Sequence, residues 1–175
     1  MADTPTGYAP QRHVAVQEAD FDLGHEVAEL HADSPGIGAI ASFVGVVREW
    51  PSALGTDGAS LMLEHYPGMT ERCIQVMVDE AIRRFDLHGA RVIHRVGTLS
   101  MGDQIVVVAV SAPHRLAAFQ GCEFLMDWLK TQAPFWKKEV SARGSHWVDA
   151  CEQDDVALAR WGAMSVSPIS HPWPT

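Results

Sequence analysis

The stretch that most constrains the fold runs from Thr70 to about Phe85. Its apolar residues recur every three to four positions, and charged or polar residues fall between them. That period matches one face of an α-helix, so the segment must be an amphipathic helix with a core to pack against. Its apolar face holds Ile74, Met77, Val78, Ala81, Ile82 and Phe85.

Two further helices are predicted before residue 132. One opens after Pro113 and runs to about Thr131, because Ala133-Pro134 ends it. A shorter one begins after Asp22, whose side chain can cap it. The helix after Pro113 has an apolar stripe that should face the core, made of Leu116, Phe119, Cys122, Met126 and Leu129.

Short runs rich in β-branched residues separate the helices and favour strands. They cover residues 13–17, 38–47, 60–66, 92–97, 104–112, 135–140 and 146–148, the last two as a hairpin. The order β-α-β-β-α-β-β-α-β-β predicts an α+β domain with mixed sheets. Residues 1–11 are predicted to be a disordered N-terminus and residues 12–150 the domain. Residues 151–175 are predicted to be an extension with a short helix over 154–161 and a proline-rich tail.

Composition excludes several classes of protein. The formal net charge of -9, from 13 Lys and Arg against 22 Asp and Glu, opposes bulk attraction to nucleic acid but allows a local cationic pocket. Three cysteines without a CxxC pair argue against a disulfide framework and a zinc ribbon. The chain has no HExxH motif and no phosphate-binding glycine loop, so neither a metal nor a cofactor is expected. The longest apolar run is too short to span a bilayer, which predicts a cytoplasmic protein.

Five basic residues lie where predicted elements end: Arg48, His114, Arg115, Lys130 and Lys137. Binding and catalytic groups favour such positions, because rigid elements hold them while loops admit ligands. His114 and Arg115 open a helix, whose free N–H groups attract anions. These side chains would form a phosphate site, or they would merely cap and solvate the helix end.

Lys130 and Lys137 flank the apolar segment Pro134–Trp136. Desolvation beside such a wall, together with a second cation, lowers the pKa of a lysine toward the range useful for proton transfer. The alternative is a solvated lysine at a helix C-terminus, where the helix dipole favours it. His94 alternates in a strand, which is more typical of a satisfied core or surface histidine than of a ligand.

Several segments, in order, resemble the large subunit of the molybdopterin synthase family. The strongest match spans residues 128–139, and the resemblance covers about residues 12–150. The matching segments are Ser42–Arg48, Leu63–Met69, Ile93–Gly97, Ser111–Arg115 and Trp128–Glu139.

The resemblance implies an α/β hammerhead-like domain with a small additional β subdomain. It also implies a sulfurtransferase that converts cyclic pyranopterin monophosphate to molybdopterin, in molybdenum cofactor biosynthesis. Two sulfurs would come from the C-terminal Gly-Gly thiocarboxylate of a small ubiquitin-like partner. The large subunit would form a homodimer within a heterotetramer, with one small subunit at each end.

Carried onto this chain, the family's site gives Lys130 and Lys137 as the catalytic residues, with Lys130 moving protons. Arg48, His114 and Arg115 would hold the phosphate and stabilise charge as the cyclic ester opens. Because the thiocarboxylate supplies the nucleophilic sulfur, no catalytic cysteine is needed. We therefore expect all five cations to converge on one cavity beside the Pro134–Trp136 wall.

Four further positions match the family's binding segments: Val46, Val47, Lys138 and Glu139. The valines stand where the family often has a polar or basic residue, so contacts there would come from the backbone alone. Strand alternation points Lys138 away from Lys137. Two alternatives remain open at this point, a pterin-phosphate-binding protein without catalysis and a scaffold that docks the sulfur carrier.

Overall fold

The computed structural model describes residues 9–32, 34–48, 60–141, 144–147 and 160–162. Within them lie the helices α1 (Leu23–His31), α2 (Met69–Phe85) and α3 (Arg115–Thr131). The strands are β1 (Gln11–Gln17), β2 (Ala39–Val46), β3 (Ser60–His65), β4 (Gly89–Arg95), β5 (Gly97–Leu99), β6 (Gln104–Ala112), β7 (Phe135–Ser141) and β8 (Gly144–Trp147). No helix in these residues is long and apolar enough to cross a membrane.

The first sheet, here called the main sheet, has the order β1-β4-β6-β2, with β1 parallel to β4 and the other pairs antiparallel. Its central strand β6 is buried on both faces. Val106, Val108 and Val110 pack in the core with α2 and α3, whereas Val107 and Ala109 join the smaller core that includes Leu30 of α1. Burial on both faces explains why β6 reads as a continuous apolar run.

The second sheet has the order β5-β3-β7-β8. The chain passes from the main sheet to the second sheet between β4 and β5, where Gly97 takes a positive φ of 82°. Four buried side chains connect the two sheets at this junction and are called the joint cluster. They are Val47, Leu61, Leu63 and Leu99.

Residues Arg160 and Trp161 fasten the end of the described chain to α2 and α3, and are called the C-terminal clamp. The Trp161 ring meets Phe85 and Phe124 edge-on, at centroid distances of 5.7 and 5.6 Å. Its Nε1–H donates to Asp127 Oδ2 at 2.7 Å, and the Arg160 guanidinium binds the same carboxylate. The clamp thereby ties the C-terminal half of α3 to the end of α2.

The expected α+β class with mixed sheets is confirmed. Asp22 caps α1 as predicted, since its Oδ1 accepts the His25 N–H at 2.7 Å. Strand β5 was not predicted, and β1 begins at Gln11 rather than at residue 13. Arg160 and Trp161 form a turn where a helix over 154–161 was predicted, and residues 154–159 lie outside the described residues.

Candidate functional site

The main sheet separates the basic residues into two groups. Antiparallel pairing of β2 with β6 sets Ala39 opposite Ala112, and Val46 opposite Gln104. Arg48 follows β2 and therefore lies at one end of the sheet, whereas His114 and Arg115 follow β6 at the other. At ~3.4 Å per residue over this register, the two ends are about 24 Å apart.

Helix α3 carries Lys130 back to the Arg48 end. It begins at Arg115, and midway its Cys122 Sγ–H approaches the Val108 carbonyl oxygen at 3.8 Å, so the helix runs along β6 in the reverse direction. At ~1.5 Å per residue, Lys130 lies about 22 Å from Arg115 along the helix axis. Lys130 is thus at the same end of the sheet as Arg48.

Lys137 reaches the Arg48 end through the second sheet. It pairs with Leu63 across β7 and β3, and directly opposed residues share a face of an antiparallel sheet. Leu63 belongs to the joint cluster together with Val47, the residue before Arg48. Lys137 and Arg48, both exposed, therefore flank one buried apolar cluster.

The valines before Arg48 have different roles. Val46 follows a bulge at the end of β2 and is 53% exposed, whereas Val47 is 3% exposed. Val47 donates its N–H to the Asp103 carbonyl and accepts from the Gly102 N–H, each at 2.8 Å. Its backbone N–H is therefore already used within the fold, and Val47 serves as an anchor for Arg48.

The remaining binding-segment residues lie on opposite faces of β7. Lys138 pairs with Met62 and places its Nζ 5.0 Å from the ring centroid of Trp147. Glu139 pairs with Leu61, on the same face as Lys137. Lys138 thus points away from the face that carries Lys137, as alternation predicted.

A single chain does not bring the five cations together. Arg48, Lys130 and Lys137 share one end of the main sheet, and His114 and Arg115 lie at the other. Elementary helix length could have shown this from sequence, because the 17 residues of α3 separate Arg115 from Lys130. The expected single cavity therefore needs a contribution from outside this chain.

The prediction that Leu116 and Phe119 face the core was wrong, since they are 66% and 65% exposed. The buried side of α3 instead includes Ala118, Phe124 and Leu125. The sequence pattern failed because small residues, Ala118 and Gly121, are buried, with Gly121 close to Leu87, and shift the buried stripe.

These exposed side chains adjoin a strand that pairs on one side only within the described residues. Strand β2 is an edge of the main sheet, α3 packs beside it, and Phe43 and Val46 on β2 are also exposed. Large exposed apolar side chains along one sheet edge are typical of interaction surfaces. We call this surface the edge patch, made of Phe43, Val46, Leu116 and Phe119.

Electrostatics near the site exclude a cysteine nucleophile on α3. Burial, reinforced by Glu123, raises the pKa of Cys122 to about 11, so its thiol stays protonated at neutral pH. Burial lowers the pKa of His94 to about 4, so that ring is neutral. In the described ranges no three His, Cys, Asp or Glu side chains group as metal ligands would.

The known proteins to which this chain is similar include molybdopterin synthase catalytic subunits. The family model for MoaE protein matches residues 16–132. A molybdopterin synthase catalytic subunit of Ralstonia nicotianae is 56% identical over 152 residues, which span 87% of this chain and 85% of that protein. The subunit of the same name from Vibrio cholerae is 49% identical over 85% of this chain and 97% of its own length.

Solved structures have the same fold. A molybdopterin biosynthesis MoaE protein from Burkholderia ambifaria superposes with a TM-score of 0.75 at 50% identity, covering 88% of this chain and all of that one. At 17% identity and a TM-score of 0.63, a chain from the Helicobacter pylori complex of subunits 1 and 2 of molybdopterin-converting factor shares the fold over 79% of this chain and 90% of its own.

Proposed function

The chain belongs to the MoaE protein family, and from that premise we propose how its cationic site works. Its function is that of the catalytic subunit of molybdopterin synthase, a sulfur-transferring enzyme of molybdenum cofactor biosynthesis. The proposed substrate is cyclic pyranopterin monophosphate. The proposed sulfur donor is the C-terminal Gly-Gly thiocarboxylate of a small ubiquitin-like subunit, and the two-subunit complex from Helicobacter pylori supports such a partner.

One observation carries the assignment of the catalytic residues. Arg48, Lys130 and Lys137 come from a strand end, a helix end and a second sheet, yet all lie at one end of the main sheet. Separate rigid elements that deliver cations to one place suit an anionic substrate, because each cation is held without a flexible loop. Lys130 is the proton-transfer residue and Lys137 assists it, while Arg48 binds the phosphate.

His114 and Arg115 complete the site from a second copy of the chain. If two β2 edges pair antiparallel across a twofold axis, the beginning of one β2 lies beside the end of the other. His114 and Arg115 of one copy then approach Arg48 of its partner. In the part of the chain that the structure describes, one edge of β2 has no partner strand. This edge and the exposed edge patch support the homodimer, which with two small subunits gives a heterotetramer.

The sulfur chemistry needs no protein thiol. In each transfer the thiocarboxylate sulfur forms a bond to a pterin side-chain carbon and displaces an oxygen from that carbon, and water then cleaves the acyl–sulfur bond to release the small subunit as its carboxylate. The guanidinium and imidazole groups stabilise the charge as the cyclic phosphate opens, and two transfers in turn give the dithiolene. Exposed Val46 and the face of β7 that carries Glu139 border the proposed binding site. Lys138, on the opposite face, is assigned to the contact with Trp147.

We assign the catalytic domain to residues 12–150 and the reaction to the cytoplasm. Residues 151–175 are assigned to an extension, of which Arg160 and Trp161 contact α2 and α3. Residues 1–11 are assigned to a terminal segment that precedes the domain.

Reconstitution tests the proposal. Purified chain, thiocarboxylated small subunit and cyclic pyranopterin monophosphate are combined, and molybdopterin is measured. We expect product from the wild type, and from Lys130→Ala greatly reduced turnover with much of the substrate binding kept. Arg83→Ala, on the exposed face of α2, is the matched control and should retain turnover. Absence of product with a partner that works in a related synthase would refute the enzymatic assignment.

A further inference from the structure

His94 occupies a position at the proposed site that its sequence context did not reveal. It lies on β4, inside the main sheet, where it pairs with Val106 of β6. It has the same parity as Ala90 and Val92, so it faces the core that contains α2 and α3. Because Val106 is near the start of β6, His94 lies at the Arg48 end of the sheet.

The His94 ring bridges the two sheets. It stacks on Phe135, the first residue of β7, with a centroid distance of 3.8 Å and an interplanar angle of 17°. Its Nδ1–H donates to the Arg95 carbonyl at 2.8 Å, immediately before the chain turns into the second sheet at Gly97. One side chain thus contacts both the strand crossover and the beginning of β7.

The carbonyl group just before Phe135 is held by a buried threonine. Thr70 is fully buried, donates its hydroxyl to the Pro134 carbonyl at 3.3 Å and accepts the Tyr66 N–H at 3.1 Å. His65 pairs with Phe135 in the register of β3 and β7. The start of β7 is therefore held between α2 and β4, which also fixes the position of the residues that follow in the strand.

Lys137 follows Phe135 by two residues on the same face of β7, so the two side chains are about 7 Å apart along the strand. Arg48 and Lys130 are mounted on the main sheet and on α3, whereas Lys137 is mounted on the second sheet. The distance between these groups depends on how the two sheets are joined. The stack of His94 on Phe135 is a direct aromatic contact across that joint.

We propose that His94 is a positioning residue for sulfur transfer, whose stack on Phe135 holds the second sheet against the main sheet and sets where Lys137 stands relative to Arg48 and Lys130. The inference rests on the proposed function and adds to it a residue that need not touch substrate. A neutral ring suits this role, since it packs flat on Phe135 without adding a charge to a cationic site. Displacement of a catalytic group by about 1 Å can cost roughly a hundredfold in rate.

A double-mutant cycle tests the proposal in the assembled synthase. His94→Ala removes the stack, His94→Phe keeps a stacking ring, and each is made alone and together with Lys137→Ala. His25→Phe, on the exposed side of α1, is the matched histidine control. The measurements are kcat and KM with thiocarboxylated small subunit and cyclic pyranopterin monophosphate, together with the thermal midpoint of each variant.

We expect His94→Ala to lower kcat by about tenfold to a hundredfold with KM changed less than about threefold. His94→Phe should stay within about threefold of the wild type. In the Lys137→Ala background, His94→Ala should cost less than about threefold, because the residue that it positions is absent. If His94→Ala fails to fold, Phe135→Leu removes the stacking partner and enters the same cycle.

Two outcomes overturn the proposal. One is full turnover of His94→Ala, and the other is an undiminished loss in the Lys137→Ala background, which would mean that His94 only packs the core. If the wild type makes product and the losses from His94→Ala and Lys137→Ala simply add, only the positioning role of His94 is refuted. No product from the wild type refutes the proposed function and this inference with it.

Discussion

The two ends of α3 are built differently. At its C-terminal end Trp128 and Leu129 are buried, and the C-terminal clamp binds Asp127 one turn before Lys130. At its N-terminal end the His114 side chain makes no capping hydrogen bond, and Leu116 and Phe119 beyond it are exposed. The C-terminal end holds its catalytic group through contacts within a single chain. The N-terminal end needs a second copy of the chain to become part of a site.

The difference follows from what each end does. A proton-transfer group must be held closely in place, so its helix end is packed and clamped. A phosphate-binding pair at a helix N-terminus gains from the helix dipole without such packing. Substitutions at the two ends of α3 should therefore impair the enzyme in different ways.

The largest expected effect is at the C-terminal, packed end of α3. Lys130→Ala should lower kcat for molybdopterin formation by about a hundredfold or more, since general acid–base groups contribute roughly 10²–10⁴. Arg115→Ala should instead raise KM for the cyclic phosphate by about tenfold, because it removes a charge-assisted hydrogen bond. Steady-state kinetics of both variants decide the matter. A pure KM effect in Lys130→Ala would place it in binding rather than catalysis.

The clamp should matter more for stability than its position near the chain terminus suggests. Trp161→Ala should lower the free energy of unfolding by about 3 kcal/mol, because it removes the edge-on contacts and the bond to Asp127. Trp147→Ala, at a 45% exposed position, is the control and should cost far less. Denaturant titration measures both. Equal losses would show that the C-terminal end of α3 is not clamped in solution.

Mixed homodimers of two variants test whether the N-terminal end of α3 contributes to a site in the second copy of the chain. Lys130→Ala and Arg115→Ala place their defects at opposite ends of α3, so a mixed homodimer would contain one intact composite site. Random association of equal amounts makes about half of the dimers mixed, which restores roughly a quarter of the wild-type sites. Activity is measured after the two variants are unfolded and refolded together. Absence of recovery would argue that each site is built from one chain.

The sequence predicted the helices better than the site, and particular residues explain why. Periodicity placed α2 to within one residue, because its apolar face packs fully. In α3 the same reasoning assigned Leu116 and Phe119 to the core, where Ala118 and Gly121 in fact make the close approach. Added bulk at Gly121 would lie 2.8 Å from Leu87, which shows how little space that contact leaves.

The resemblance identified the basic residues but not their distribution in space. The order of motifs along the chain says nothing about distances in the fold. Five cations expected to serve one reaction were therefore predicted to line one cavity. His94 was interpreted only as a core or surface histidine, because its stack on Phe135 joins residues that are 41 positions apart in the sequence. The clamp also depends on a tertiary contact, between Trp161 and Asp127, that no local pattern announces.

The smallest expected effect concerns pH at the packed end of α3, where His94 also lies. Its pKa is lowered from 6.5 to about 4, chiefly by burial. Below pH 6.5 the His94 ring is protonated in the unfolded chain, whereas in the folded chain it stays neutral until about pH 4. The free energy of unfolding therefore falls as the pH drops through this window. At pH 5.5 the loss attributable to His94 is about 1 kcal/mol relative to pH above 7.5.

His94→Phe removes this titration while it keeps an aromatic ring on Phe135, so its stability should decline less between pH 7.5 and 5.5. Burial also lowers the pKa of His13, with Arg91 adding to the effect, but that contribution is common to both proteins and cancels in the difference. Urea titrations at the two pH values measure it. Equal declines would mean that the His94 ring is solvated enough to take up a proton, and the packed end of α3 would then be less closed than its contacts indicate.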